Sequence, residues 1–162
     1  MRNEEIFLVG VMEFASIKKI SVGEFYIGVR FKAGVLGALW GKDISLFNDK
    51  LVPLENIDKS LEQKLLHLDK SDKNIEKLLD EIFEKVFENV KFDQRVLEAT
   101  RVINKSSKDI VDIAKSLDIS QKQLERLFVK HVGVTPKKYT RFIRFIKTHK
   151  HLTKAYRIIP YK

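Results

Sequence analysis

Lys122, Arg126 and Val129 recur at the spacing of one helix face, with Glu125 flanking them. Those four side chains could do the chemistry of reading base edges. Arginine can make a bidentate contact to guanine O6 and N7, glutamate can accept from cytosine N4, and valine can meet a thymine methyl. Ser120 and Gln121, immediately before that face, suit phosphate oxygens at a helix N-terminus. The plainer alternative for Arg126 is a surface ion pair, with Asp112 for example.

A helix must hold these residues outward, and residues 110–132, IVDIAKSLDISQKQLERLFVKHV, predict one. Ile110, Ile113, Ala114 and Leu117 fall at i, i+3, i+4 and i+7, the buried stripe of a short helix. The pattern breaks at Asp118. Ser120 then stands at an N-cap, with Gln123 as its capping-box partner, and Leu124, Leu127, Phe128 and His131 restart the stripe. Two short amphipathic helices joined by a tight turn make a helix-turn-helix, a device that presents its second helix, here about residues 120–132, to a DNA major groove. Thr135-Pro136 next reads as an N-cap followed by proline at the first helical position. In the long helix it opens, Tyr139, Phe142, Ile143 and Ile146 form the inner stripe. Lys137, Lys138, Arg141, Arg144, Lys147 and Lys150 lie around the outer sides, suited to phosphate neutralisation, which supplies affinity and salt dependence rather than sequence information. A merely solvated basic face is the alternative.

Charge is divided unevenly along the 162 residues. Residues 1–90 carry 13 Lys/Arg against 16 Asp/Glu, a net of −3, whereas residues 91–162 carry 18 against 6, a net of +12. A basic half joined to a mildly acidic one places any polyanion contact in the second half. Cysteine is absent, which removes disulfides, thiol catalysis and thiolate metal sites. The opening MRNEEIFLVGVMEF has acids ahead of a short apolar run, unlike a signal peptide, and no apolar stretch is long enough to span a bilayer. A soluble cytoplasmic protein with no membrane partner is the expectation.

The acidic half reads differently. Six of the seven glycines lie within residues 1–41, and residues 6–14, 17–22 and 24–31 are apolar, partly alternating runs of strand length, with a tight turn at Val22-Gly23-Glu24. GVLGALWG predicts a short helix ending near Gly41. Leu51-Val52-Pro53-Leu54 is expected to be extended, since a proline keeps the residue before it out of the helical region. Helices follow over residues 60–68 and 75–90, the second with Ile75, Leu78, Leu79, Ile82, Phe83, Val86, Phe87 and Val90 in an unbroken 3.6-residue period. Asp93 is placed to cap a further helix reaching about Asn104.

The ordered string Ile113-Ala114, Ser120, Leu124, Arg126, Phe128, Gly133, Thr135-Pro136, Tyr139 and Arg144 resembles the AraC/XylS family of bacterial transcription regulators over about residues 93–152. The resemblance implies sequence-specific binding of double-stranded DNA, with Lys122, Glu125 and Arg126 at base-reading positions, in agreement with the helical spacing. Asp118 replaces the family's usual turn glycine, and aspartate is among the few residues that tolerate the left-handed conformation such a turn needs. Upstream, FLVGVMEF, GVRFKAGVLGALWG and KLVPLENI look like the end of the sensor half of one AraC-like subgroup, with Ala33 where that subgroup has proline. This implies the last strands of a cupin-like barrel and, for the full-length protein, a small-molecule effector. Family members normally carry two helix-turn-helix units, so a fragment or truncated product is expected, with Tyr156, Ile158, Ile159 and Tyr161 lacking the second unit as packing partner.

The expected architecture is therefore α+β: a partial cupin-like sensor region with strands then helices over residues 1–90, and an all-α helix-turn-helix region over residues 91–162. The alternative is a protein-interaction module in which the 75–90 helix forms a homodimer and the DNA-binding region is truncated. Burial of Leu79, Phe83 and Phe87 within their own chain would weaken it. No catalytic constellation, metal site or cofactor is expected. His149 and His151 point to different sides of a helix, and His67 and His131 have no carboxylate or serine at motif spacing. Gly34, Gly37 and Gly41 do not follow the dinucleotide or phosphate-loop patterns, and Trp40 reads as core.

Overall fold

A pair of three-residue strands is all the sheet found among the residues described in the computed structural model: 5–14, 26–69 and 72–155, the last six as backbone only. Strand β1 (Phe7–Val9) pairs antiparallel with β2 (Leu51–Pro53) in the register Phe7 to Pro53, Leu8 to Val52 and Val9 to Leu51. Pro53 sits at the end of its strand, where a missing N–H costs no ladder bond. The rest is mainly helix, so the β-rich reading of the first half is corrected. Residues 10–14 and 26–31 lie outside any strand, although their apolar runs have strand length. Alternation alone does not make a ladder, because each strand also needs a neighbour to take its N–H and C=O groups. The expected strand at 17–22 and the turn at 22–24 fall outside the described residues. No barrel is formed by the described residues, and the cupin-like element is not seen among them.

Helix α1 (Val35–Trp40) begins and ends at left-handed glycines, Gly34 and Gly41. A short 3-10 helix (Ile44–Phe47) follows, capped by Asp43, whose Oδ1 accepts from the N–H and the hydroxyl of Ser45 at 2.9 and 2.6 Å. Helix α2 (Glu55–Leu66) starts earlier than the 60–68 expectation and has a break at Asp58. Asp58 Oδ1 accepts from Leu61 N at 2.9 Å, acting as a cap inside the element, while its other oxygen accepts from the indole of Trp40 at 3.2 Å. Helix α3 (Ile75–Phe87) carries the long apolar stripe, yet none of its residues is fully buried.

The core sits in the four helices that follow. Asp93 caps α4 (Gln94–Lys105) as its position predicts, accepting from Arg95 N at 3.0 Å. Two further bonds from the Arg95 guanidinium make the pair bidentate, and the Arg95 side-chain hydrogen bond holds the Asp93 carboxyl below the usual carboxylate range. Helix α5 (Ile110–Ser116) is capped by Asp109, helix α6 (Gln121–Val132) by Ser120, and α7 (Pro136–Ala155) begins after Thr135, whose hydroxyl accepts from Lys138 N at 3.3 Å. Val96, Ala99 and Ile103 of α4 meet Ile113, Ala114, Leu124, Phe128, Val132 and Val134 in one buried cluster. Tyr139, Phe142 and Ile143 of α7 close it from the side, with an edge-on contact between the Phe128 and Tyr139 rings at 5.9 Å.

Packing crosses the boundary expected at residue 90. Val11 and Ala33 add to the α4–α7 core, and both α1 and the 3-10 helix lie against α6. A Cβ on Gly37 would stand 2.6 Å from the His131 Cα, so only glycine lets the two helix backbones approach this closely. No described helix is long and apolar enough to cross a membrane.

Candidate nucleic-acid interface

Position of the second helix is set by the turn before it. Asp118 adopts φ 54°, Ile119 N donates to Ala114 O and Asp118 N to Lys115 O, both at 3.1 Å. This 6→1 and 5→2 pair is a Schellman ending for α5 with aspartate in the left-handed position usually held by glycine. Two residues later the chain is helical again. Ser120 Oγ accepts from Gln123 N at 3.2 Å, while Gln123 Oε1 accepts from Ser120 N at 2.8 Å, a complete capping box. Leu124 and Phe128, both 0 % exposed, then fix which side of α6 faces inward.

The outward side follows from that anchoring. Lys122 and Arg126 are exposed, whereas Glu125 and Val129 are half-buried. Neither Lys122 nor Arg126 makes an ion pair among the described residues, so the alternative Arg126–Asp112 pair is not formed. Glu125 accepts a hydrogen bond from Gln121 Nε2 at 2.9 Å, which ties those two side chains to each other. The box satisfies the N–H groups of Ser120 and Gln123, and leaves those of Gln121 and Lys122 pointing out of the first turn without an intrahelical acceptor.

The cations of α7 divide by angle. At 3.6 residues per turn, Lys137, Arg141 and Arg144 share one side, with Lys138 and Lys147 on opposite flanks of it. The central three make no hydrogen bond or ion pair among the described residues. The flanking two are both engaged. Lys147 Nζ donates to Asn104 O at 2.6 Å, satisfying an orphan carbonyl at the end of α4, and Lys138 Nζ pairs with Glu13 Oε2 at 2.5 Å. Lys122, Glu125, Arg126 and Val129 thus lie along one outward strip of α6, Ser120 and Gln121 are exposed at its N-terminal end, and Lys137, Arg141 and Arg144 lie along the exposed side of α7.

Two acidic residues that sequence reasoning missed stand beside these cations. Asp43 shares an open groove with Lys122, Glu125, Arg126, Val129 and Thr135, and Glu13 borders a second one with Lys138, Arg141, Phe142 and Phe145. Nothing local marks either residue, since both arrive through contacts far apart in sequence. Asp49 Oδ1 accepts from the N–H groups of Glu13 and Phe14 at 2.7 and 3.2 Å, and Asn48 Nδ2 donates to Gly133 O at 2.7 Å.

His131 lies half-buried at the edge of its stripe, where the spacing predicts it. Its Nδ1 is buried without a hydrogen-bond partner, and loss of solvation pushes its pKa below the usual histidine value, with Lys130 acting in the same direction. Burial raises the Tyr139 hydroxyl pKa, partly offset by the 3.1 Å hydrogen bond from Asn104. No group of histidines and acids that could hold a metal occurs among the described residues. No protein-family model matches the chain, and neither a curated protein nor a solved structure is significantly similar to it.

Proposed function

We propose that this protein binds double-stranded DNA and regulates transcription in the manner of AraC-type regulators, with α6 in the major groove. The observation that carries the reading is the geometry of α5 and α6: a Schellman turn, a capping box and two 0 %-exposed anchors turn Lys122 and Arg126 to solvent without partners. The cations of α7 continue that surface and supply phosphate contacts. The resemblance of residues 93–152 to the family supports the same roles. The test is selection of bound sequences from a randomised duplex library at two salt concentrations. An enriched motif that survives the higher salt is the expected result, and a flat profile at both would reduce the activity to non-specific polyanion binding.

A second reading has one observation in its favour. The α3 stripe is continuous, yet Leu79, Phe83 and Phe87 are only half-buried. Phe31 covers part of it, its ring lying 4.9 Å from that of Phe83 and 5.7 Å from that of Phe87. The exposed remainder suits a homodimer contact. Sedimentation of the wild type beside Leu79→Glu tests it, and a concentration-independent monomer for the wild type would dispose of it.

A further inference from the structure

We infer that the carboxylates of Glu13 and Asp43, held in place by the docking of residues 10–14 and 34–48, compete with nucleic acid for the cations of α6 and α7. The inference rests on the reading under Proposed function and names the regulation of that same site.

The observations converge from both sides of the groove. Helix α1 seats Gly37 on the His131 backbone, and the 3-10 helix lies on α6 with Asn48 hydrogen-bonded to the carbonyl of Gly133. Val11 and Ile44 pack beside the same glycine. This docking delivers one carboxylate to each cationic strip. Asp43 enters the groove lined by Lys122, Arg126 and Val129, and Glu13 takes the ammonium of Lys138. Asp43 thus stands beside the cations assigned to base edges, and Glu13 occupies a cation assigned to phosphate. Duplex DNA carries about one negative charge per 1.7 Å of axis, so a fixed carboxylate at the groove edge opposes its entry. Lys138 cannot pair fully with both. Exposed ion pairs are individually weak, but tethering gives these carboxylates an effective concentration on the order of millimolar, so they compete without tight binding.

Neutralising either acid should open the competition without disturbing the fold. Asp43→Asn keeps an oxygen to accept from Ser45, and the Glu13 side chain is held only by Lys138 among the described residues. Measured by fluorescence anisotropy on a mixed-sequence duplex of roughly two helical turns across a potassium chloride series, each variant should bind about two- to fivefold tighter than the wild type. Freeing Lys138 should also add one phosphate contact, steepening the log–log salt slope of Glu13→Gln by about 0.9. The control for net charge is Glu81→Gln, which breaks an exposed ion pair with Lys77 on α3 and should leave affinity within error of the wild type. Equal affinities and slopes for wild type, Glu13→Gln and Asp43→Asn, with Arg126→Ala still weakening binding, would overturn the inference and leave the DNA reading intact. Gains as large for Glu81→Gln would also overturn it, reducing the effect to overall charge. Absence of duplex binding by every one of these proteins at low salt would overturn the DNA reading itself, and the inference with it.

Discussion

Gly133 is the position at which local geometry and long-range docking can be separated by measurement. It ends α6 at φ 92°, its N–H donates to the carbonyls of Phe128 and Val129, and its own carbonyl accepts from Asn48. A Cβ built there would stand 2.9 Å from Asn48 Oδ1 and 3.3 Å from a Val11 methyl. Gly133→Ala therefore meets two penalties. The left-handed backbone costs a non-glycine residue roughly 1–2 kcal/mol, reduced by about 0.4–1 kcal/mol because alanine has less freedom to lose on folding. Displacing Asn48 then removes a hydrogen bond worth about 0.5–1.5 kcal/mol. A net loss of about 0.5–3 kcal/mol follows, set against the 5–15 kcal/mol typical of a whole domain. Asn48→Ala alone should cost less than about 1 kcal/mol, because it also removes Oδ1, a buried oxygen with no partner. In the double variant the close contact is gone and only backbone strain remains. Urea unfolding of the four proteins should thus give a favourable coupling of about 0.5–1.5 kcal/mol at constant m-value. Additivity within about 0.3–0.5 kcal/mol, or a neutral Gly133→Ala, would refute the claim that Asn48 and Gly133 form one docking point.

Three further predictions concern the helices around it. Phe128→Ala should lose about 3–5 kcal/mol, since the ring is 0 % exposed and no neighbour can fill its place, read as a shift in the urea midpoint. Arg126→Ala should relax preference at one base pair and weaken the best site by roughly 1–3 kcal/mol, whereas Lys137→Ala should weaken cognate and random duplexes alike and flatten the salt slope. Burial depresses the His131 pKa below its unfolded value of 6.5, so the unfolded chain binds more protons between the two values. Stability is then complete above 6.5 and falls as pH drops through 6.5 towards the folded pKa. A set of urea midpoints from pH 7.5 to 5 should show that decline, and His131→Gln should flatten it; equal slopes would remove His131 as its source.

Legibility followed the range of the interaction. The capping box at Ser120 and Gln123, the Asp93 cap and the Thr135-Pro136 start are interactions over three residues or fewer, and the sequence pattern carries each of them directly. Asp118 was readable for the same reason, because a side chain's tolerance of positive φ is its own property. The outward strip of α6 could be drawn from the inward one, since helical geometry relates them. The early strands could not. Apolar alternation in residues 6–14 and 26–31 describes a segment that could be half-buried, and only partners elsewhere in the chain decide whether it becomes a ladder. Residues 7–9 found one in 51–53, whereas residues 10–13 are irregular and half-buried, and residues 26–30 are irregular and exposed. The placement of Asp43 and Glu13 was invisible on the same ground, for each reaches cations about 80 or more residues away, Glu13 as an ion pair and Asp43 as a neighbour in one groove, through packing that neither residue encodes.

What holds the acidic segment on the basic helices can be decided by magnitude. The opposite net charges of the two halves invite an electrostatic answer, but the ion pair actually formed between them is exposed, and such a pair contributes about 0–1 kcal/mol and less in salt. By contrast Ile44, 6 % exposed beside Gly133, represents about 1.5–3 kcal/mol of burial, and Val11 and Ala33 add apolar area on the α4–α7 core. The backbone contact at Gly37 and the Asn48 hydrogen bond add shape rather than charge. Docking is therefore mainly apolar and steric, and salt alone should not release it. The carboxylates have the other role. They are carried into position by a contact they do little to sustain, so neutralising them changes what the surface attracts while the segment stays where it is. Deleting the apolar contact should act in the opposite order: Ile44→Ala should loosen the segment first, seen as faster amide exchange at residues 128–133, and raise DNA affinity only as a consequence. Tighter DNA binding by Ile44→Ala with unchanged exchange would mean that the groove is opened some other way.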